Sequence, residues 1–185
     1  MATAPLPRAM TADAFVEWAL QQPGRYELVA GTVYAMAPER IGHARTKDAA
    51  KAALAAAIAR AGLPCEALPD GISVRVDAST VYEPDALVYC GPRADADAVF
   101  APDPVIVVEV TSPSSGTIDS GAKLSGYFAV PSVAHYLVLN SVTRQVVHHR
   151  RSETGGIETR VLHGGTLALD PPGLAVEVAD FFPGL

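Results

Sequence analysis

The run Pro104-Val105-Ile106-Val107-Val108-Glu109-Val110 narrows the possible folds more than any other stretch of the chain. Four consecutive β-branched residues without a polar interruption predict a strand buried on both faces, in the middle of a sheet. A carboxylate, Glu109, stands at its far end. An ionised carboxylate there is costly unless it is paired, hydrogen-bonded or bound to a metal. Taken alone, Glu109 fits a structural acid at a strand end as well as a functional group.

The rest of the chain supplies elements on both sides of that strand. Thr11 reads as the N-cap of a short amphipathic helix over residues 11–20, with Phe15, Trp18 and Ala19 on one face and Pro23-Gly24 as its stop. Residues 25–29 and 32–36 alternate around Ala30-Gly31, a hairpin signal that puts Arg25, Glu27 and Val29 on one face. Glu27 is then either an exposed strand residue or a site residue. Residues 43–61 predict the longest helix, rich in Ala and closed by Gly62 and Pro64. His43, at its start, reads as a cap, a solvent-facing residue or a site residue. A short strand over residues 73–76 and a longer one over 81–90 follow. Pro84 lacks a ladder donor, so the Pro84-Asp85 pair belongs at a strand start, bulge or edge.

Residues 92–104 predict a solvated acidic loop, and residues 112–117 a second loop. A helix over residues 119–129 carries Asp119, Lys123 and Tyr127 one above another, with Asp119 as its cap and Pro131 beyond its end. A hairpin over residues 134–140 and 145–150 comes next, then edge strands at 157–162 and 174–178, with Phe181-Phe182 packing the tail back. Repeats and inter-domain linkers are missing. The expectation is one α/β domain over residues 1–185 with a mixed central sheet flanked by helices and a flexible start over residues 1–10.

Composition sets the remaining bounds. With 185 residues, 49% hydrophobic and 18% charged, the chain can bury a sizeable core. No apolar run is long enough to span a bilayer, and the Ala- and Pro-rich start lacks a signal core, so neither membrane insertion nor export is expected. Cys65 and Cys90 lack CxxC spacing. Cys90 reads as a core thiol, and neither cysteine as part of a zinc site or disulfide framework, which makes the reducing cytoplasm the expected compartment. The formal net charge of −6 argues against coating nucleic acid with Lys and Arg. A local basic groove, or a metal that brings its own charge, is still compatible with it.

If residues 81–90 and 104–110 are neighbouring strands, Asp85 and Glu109 approach each other. Two close carboxylates repel unless a cation lies between them, and hard oxygen donors suit Mg²⁺ or Mn²⁺. Pro84-Asp85, then Val108-Glu109-Val110-Thr111, then Lys123 resemble the signature of the PD-(D/E)XK nuclease superfamily. Tyr26-Glu27-Leu28-Val29-Ala30-Gly31, His43 opening a helix, Val107 through Ser114, Asp119 through Leu124 and Tyr127 narrow the resemblance to the Uma2 family of restriction-type endonucleases. In the superfamily pattern the lysine stands two residues after the second acid, where this chain has Thr111; Lys123 matches a lysine moved to the next helix.

The resemblance implies a restriction-endonuclease-like fold and Mg²⁺-assisted hydrolysis of DNA phosphodiester bonds, with Mn²⁺ as a possible substitute. Asp85, Glu109 and the backbone carbonyl of Val110 would hold the metal. Lys123 would orient or deprotonate the attacking water, or neutralise charge. Glu27 would extend the metal shell or hold Lys123, His43 would contact phosphate or water, and Tyr127 would brace the lysine. Cutting both strands of a duplex calls for two sites, hence a homodimer. The alternatives are a catalytically silent or regulatory module on a nuclease fold, and hydrolysis of RNA or another phosphate ester.

Overall fold

A computed structural model describes residues 10–111, 120–182 and 184. In chain order the elements are α1 (Ala12–Ala19), β1 (Tyr26–Val29), β2 (Thr32–Ala35), α2 (Ile41–Ala61), β3 (Cys65–Pro69), β4 (Val74–Arg75), β5 (Val81–Tyr82), β6 (Ala86–Cys90) and β7 (Pro104–Thr111). They continue with α3 (Ser120–Ala129), β8 (His135–Asn140), β9 (Gln145–Arg151), β10 (Ile157–Leu162), β11 (Thr166–Leu169), β12 (Leu174–Glu177) and a closing 3₁₀ turn over Val178–Phe181. Six strands form the main sheet in the order β10-β9-β8-β7-β6-β3. Only β7 and β8 run parallel, joined over α3; the other pairs are antiparallel. This is the mixed α/β architecture expected.

Period-two alternation sorts the two faces of the central strand. Ile106, Val108 and Val110 enter a core shared with Ala50, Leu54 and Ile58 of α2 and with the β11–β12 hairpin. Val107 enters the opposite core with Tyr82, Tyr89, Tyr127 and Tyr136. Each fully buried Val or Ile contributes about 1.5–3 kcal/mol by leaving water. Glu109, two residues after Val107, points to the α3 side. On α2 the inward stripe Ala50, Ala53, Leu54, Ala57, Ile58 extends back through Thr46 and Lys47 to the half-buried His43. Gly62 closes that helix with φ 63°, the left-handed conformation that glycine adopts without a Cβ clash.

Several expectations hold in detail. Thr11 Oγ1 accepts from Ala14 N as an N-cap, and Phe181 and Phe182 are buried. The start over residues 1–9, the loop at 112–117 and Asp119 lie outside the described residues. Among the described residues, no helix is long and apolar enough to cross a membrane.

Two expectations need correction. Residues 81–90 form two short strands in different sheets: β5 pairs with β1 and β4, β6 with β7 and β3. The break falls at Glu83-Pro84-Asp85, where a residue without an N–H ends one ladder before the next begins. The cysteines are not free thiols: Cys65 and Cys90 stand directly opposite in the β3–β6 register and form a disulfide. Residues 65–69 follow one proline, end on another and carry no strand pattern, which leaves Cys65 without a partner visible in the sequence. The strand over Thr166–Leu169 was missed as well.

A buried histidine pair ties the C-terminal hairpin to the sheet. His135 Nε2 must carry the proton donated to the Pro171 carbonyl at 2.9 Å, which leaves its Nδ1 to accept from His148 Nε2, also at 2.9 Å. Burial lowers both pKa values from 6.5 to about 4, with the neighbouring His135 adding to the shift at His148. An unfolded chain takes up these protons below pH 6.5 and the folded one only near pH 4. Stability therefore falls as pH drops through that window, by up to about 3 kcal/mol per histidine. The measurement is an NMR titration of the ring protons: neither histidine is expected to charge above pH 5, and titration of either near pH 6.5 contradicts this.

Candidate active site

Five elements converge below the end of β7. Asp85 leads into β6 and is fastened to β7 twice: its N–H donates to the Val108 carbonyl at 2.9 Å, and its Oδ2 accepts the Val110 N–H at 2.6 Å. Its carboxylate thus lies beside the peptide that follows Glu109. From α3, Lys123 and Tyr127 project one turn apart. Lys123 Nζ is 2.7 Å from Glu109 Oε1 and 3.0 Å from Glu27 Oε1, and the Tyr127 hydroxyl donates to Glu109 Oε1 at 2.6 Å. Thr111 is elsewhere, donating to the Leu139 carbonyl at 3.4 Å. The ammonium reaches the strand-end acid from the helix, where a superfamily lysine would reach it from the strand.

Glu27 is not a surface residue. It is 3% exposed, and its Oε1 also accepts the Glu83 N–H at 2.9 Å. From α2, His43 Nε2 lies 3.5 Å and Lys47 Nζ 3.6 Å from Asp85 Oδ1. Lys47 also binds Glu39 at 2.9 Å and Asp70 at 2.5 Å, and Arg25 bridges Asp70 and Glu83. Glu27, Asp85, Glu109, Lys123, His43 and Tyr127 are therefore members of one polar network. Sequence reasoning missed Arg25, Glu39, Lys47, Asp70 and Glu83. A signal existed for Lys47, which stands one helical turn after His43 on the inward stripe.

The electrostatics follow from burial and crowding. Burial, with the charges of Asp85 and Glu27 adding to it and Lys123 opposing, raises the Glu109 pKa from 4.5 to about 7. Burial works to lower the Lys123 pKa, but Glu109 and Glu27 overcome it and hold the ammonium above the usual lysine value. Tyr127 stays a phenol, pushed well up by burial and by the adjacent carboxylates.

The network holds six carboxylates (Glu27, Glu39, Asp70, Glu83, Asp85, Glu109) against three fixed cations, Arg25, Lys47 and Lys123. Glu39, Asp70 and Glu83 are taken by Lys47 and Arg25; Asp85, bound to the Val110 N–H, and Glu109, the residue before Val110, are the hard oxygen donors that share one stretch of β7. Among the described residues, no three His, Cys, Asp or Glu side chains converge on a metal position. Two carboxylates with the other positions left to backbone, water and phosphate is the usual manner of Mg²⁺.

Gly126 lets α3 come this close. A Cβ there would meet the Tyr82 ring at 2.5 Å (Cε2) and 2.8 Å (hydroxyl). That ring is buried and packs edge-on against Tyr127 at 5.1 Å, so it has little room to retreat. Gly126→Ala is expected to destabilise the fold by about 1–3 kcal/mol despite the helix propensity it adds. Urea denaturation checks this; a variant as stable as the parent contradicts the packing described.

Comparison with known proteins decides the family. The chain matches the Uma2 family, described as "Putative restriction endonuclease", over residues 12–180. It belongs to that family. "Uncharacterized protein slr1290" of Synechocystis sp. is 25% identical over 187 residues, which span 99% of this Uma2 chain and 96% of that protein. A crystal structure from Anabaena variabilis, described as a "putative nuclease belonging to DUF820", is similar with a TM-score of 0.70 and 14% identity. The likeness covers 94% of this chain and 97% of that one and shows a shared fold. The Uma2 match takes in every residue of the polar network.

Proposed function

We propose that this Uma2 chain is a metal-dependent endonuclease that hydrolyses DNA phosphodiester bonds at the cluster Asp85, Glu109 and Lys123. The observation that carries the reading is the placement of Lys123, brought from α3 to within 2.7 Å of Glu109 in a network with surplus negative charge. Asp85, Glu109 and the Val110 backbone carbonyl would hold Mg²⁺ or Mn²⁺. When bound, the metal supplies a water of lowered pKa and a Lewis acid for the phosphate.

The chain's own groups do the rest. Glu109 and Glu27 hold the Lys123 ammonium above the ordinary lysine value, which favours its charged form. It serves as a fixed donor and positive charge, aimed where charge develops on the phosphate. Glu27 gives the lysine a second carboxylate at 3.0 Å, and Tyr127 fixes the Glu109 oxygen that the lysine shares. His43 stands outside Asp85, where it can meet a phosphate or the attacking water.

The test is nicking of supercoiled plasmid with Mg²⁺ or Mn²⁺, run beside single-stranded DNA and RNA. The expected result is metal-dependent nicking that chelation stops and Asp85→Asn abolishes. Cleavage of none of the substrates with either metal overturns the reading, and cleavage of RNA alone replaces the substrate.

A further inference from the structure

β10 closes the main sheet on one side, and its outer edge has no partner strand among the described residues. Residues 157–161 are all exposed, including the apolar side chains Ile157 (43%) and Val161 (54%). Such an edge offers a row of unpaired N–H and C=O groups to any chain able to pair with it. β10 has no proline or lysine and keeps an unbroken register with β9, and the two charges it carries, Glu158 and Arg160, are of opposite sign. The opposite edge, β3, follows Pro64, ends on Pro69 and is tied to β6 by the disulfide.

We infer that β10 is a self-association strand, pairing antiparallel with β10 of a second copy across a two-fold axis at Thr159. Directly opposed residues in an antiparallel pair share a face, so the side chains decide the register. An axis at Thr159 sets Ile157 against the partner's Val161, and Glu158 against the partner's Arg160, each pair occurring twice. An axis at Glu158 or at Arg160 would oppose like charges. An axis between two residues would oppose side chains from different faces, which a two-fold axis normal to the sheet does not allow. Only the Thr159 register matches apolar with apolar and acid with base.

This self-complementarity is what an isologous interface between copies requires and what an unrelated partner strand does not. Within the chain, Glu158 is held by Arg150 at 2.8 Å, whereas Arg160 has no ion-pair partner among the described residues. The partner's Glu158 supplies one. Two strands, β8 and β9, separate β10 from β7, so each copy keeps its own polar network and association is measurable apart from catalysis.

Sedimentation equilibrium on the wild type, Arg160→Glu, Glu158→Arg and the double reversal tests the inference, with circular dichroism confirming that each variant is folded. The wild type is expected to be a dimer, each single reversal to raise the dimer dissociation constant at least about tenfold, and the double reversal to recover most of the loss. Thr159→Cys, with its side chain on the axis, is expected to oxidise to a disulfide-linked dimer. A monomeric wild type, a dimer that neither single reversal weakens, or a Thr159→Cys chain that stays uncrosslinked overturns the inference.

Discussion

Lys123→Met is expected to lower the cleavage rate by at least about 10²-fold, because in the proposed mechanism it removes a fixed positive charge from the place where the transition state gathers negative charge. It should also cost stability. The methionine fills much of the volume but leaves Glu27 and Glu109 buried with no ammonium between them. Breaking a buried pair on one side costs about 3–5 kcal/mol when the remaining charge cannot escape. Here part of it can, since Glu109 already holds its proton up to about pH 7 and without Lys123 will hold it higher still. The loss is therefore expected to be small at pH 5 and to grow as pH rises. Urea denaturation at pH 5 and pH 8, paired with nicking assays, checks both parts. Wild-type activity in the variant contradicts the role given to Lys123, and a pH-independent loss contradicts its pairing with Glu109.

Glu109→Gln is expected to separate activity from stability. In the proposed mechanism the change removes charge and a metal ligand, so cleavage should fall below detection, while shape is retained. The folded-state pKa of Glu109 lies above its unfolded value, 4.5 against about 7. Its contribution to stability is then complete below pH 4.5 and is lost as pH rises through 7, by up to about 3 kcal/mol. The glutamine variant lacks that fall. In metal-free buffer it is expected to match or exceed the wild type at pH 8 and to lose that advantage at pH 5. A wild type whose stability rises steadily from pH 5 to pH 8 relative to Glu109→Gln contradicts the sign. Exchange of stability for a strained, charged site is common where function needs buried charge.

Much of this was legible in the chain itself, for physical reasons that can be named. The strand over Pro104–Thr111 was clear because β-branched residues and an apolar run leave few other structures open. The approach of Lys123 to Glu109 was legible through the resemblance, which matches Lys123 to a lysine moved to the next helix; the i, i+4 spacing added only that Tyr127 shares its face. Hidden were the features that depend on which strands are neighbours. The disulfide needed β3, whose five residues carry no strong strand pattern, and the change of sheet at Pro84 needed the second sheet. Asp70 entered the network through the turn after β3, which no local periodicity reports, whereas helical periodicity did place Lys47 on the stripe of His43. The hairpin pattern left Glu27 open between an exposed strand residue and a site residue; its burial depends on the packing of β5 and α3 against it.

The most direct measurement is calorimetric titration of Mg²⁺ and Mn²⁺ into the wild type, Asp85→Ala and Glu109→Ala, each with and without a duplex oligonucleotide. Asp85 and Glu109 as joint metal ligands predict binding to the wild type, tighter with DNA present, and loss of that binding in both variants. A wild type that binds neither metal even with DNA, or variants that keep wild-type affinity, contradicts a metal-dependent nuclease centre at Asp85 and Glu109.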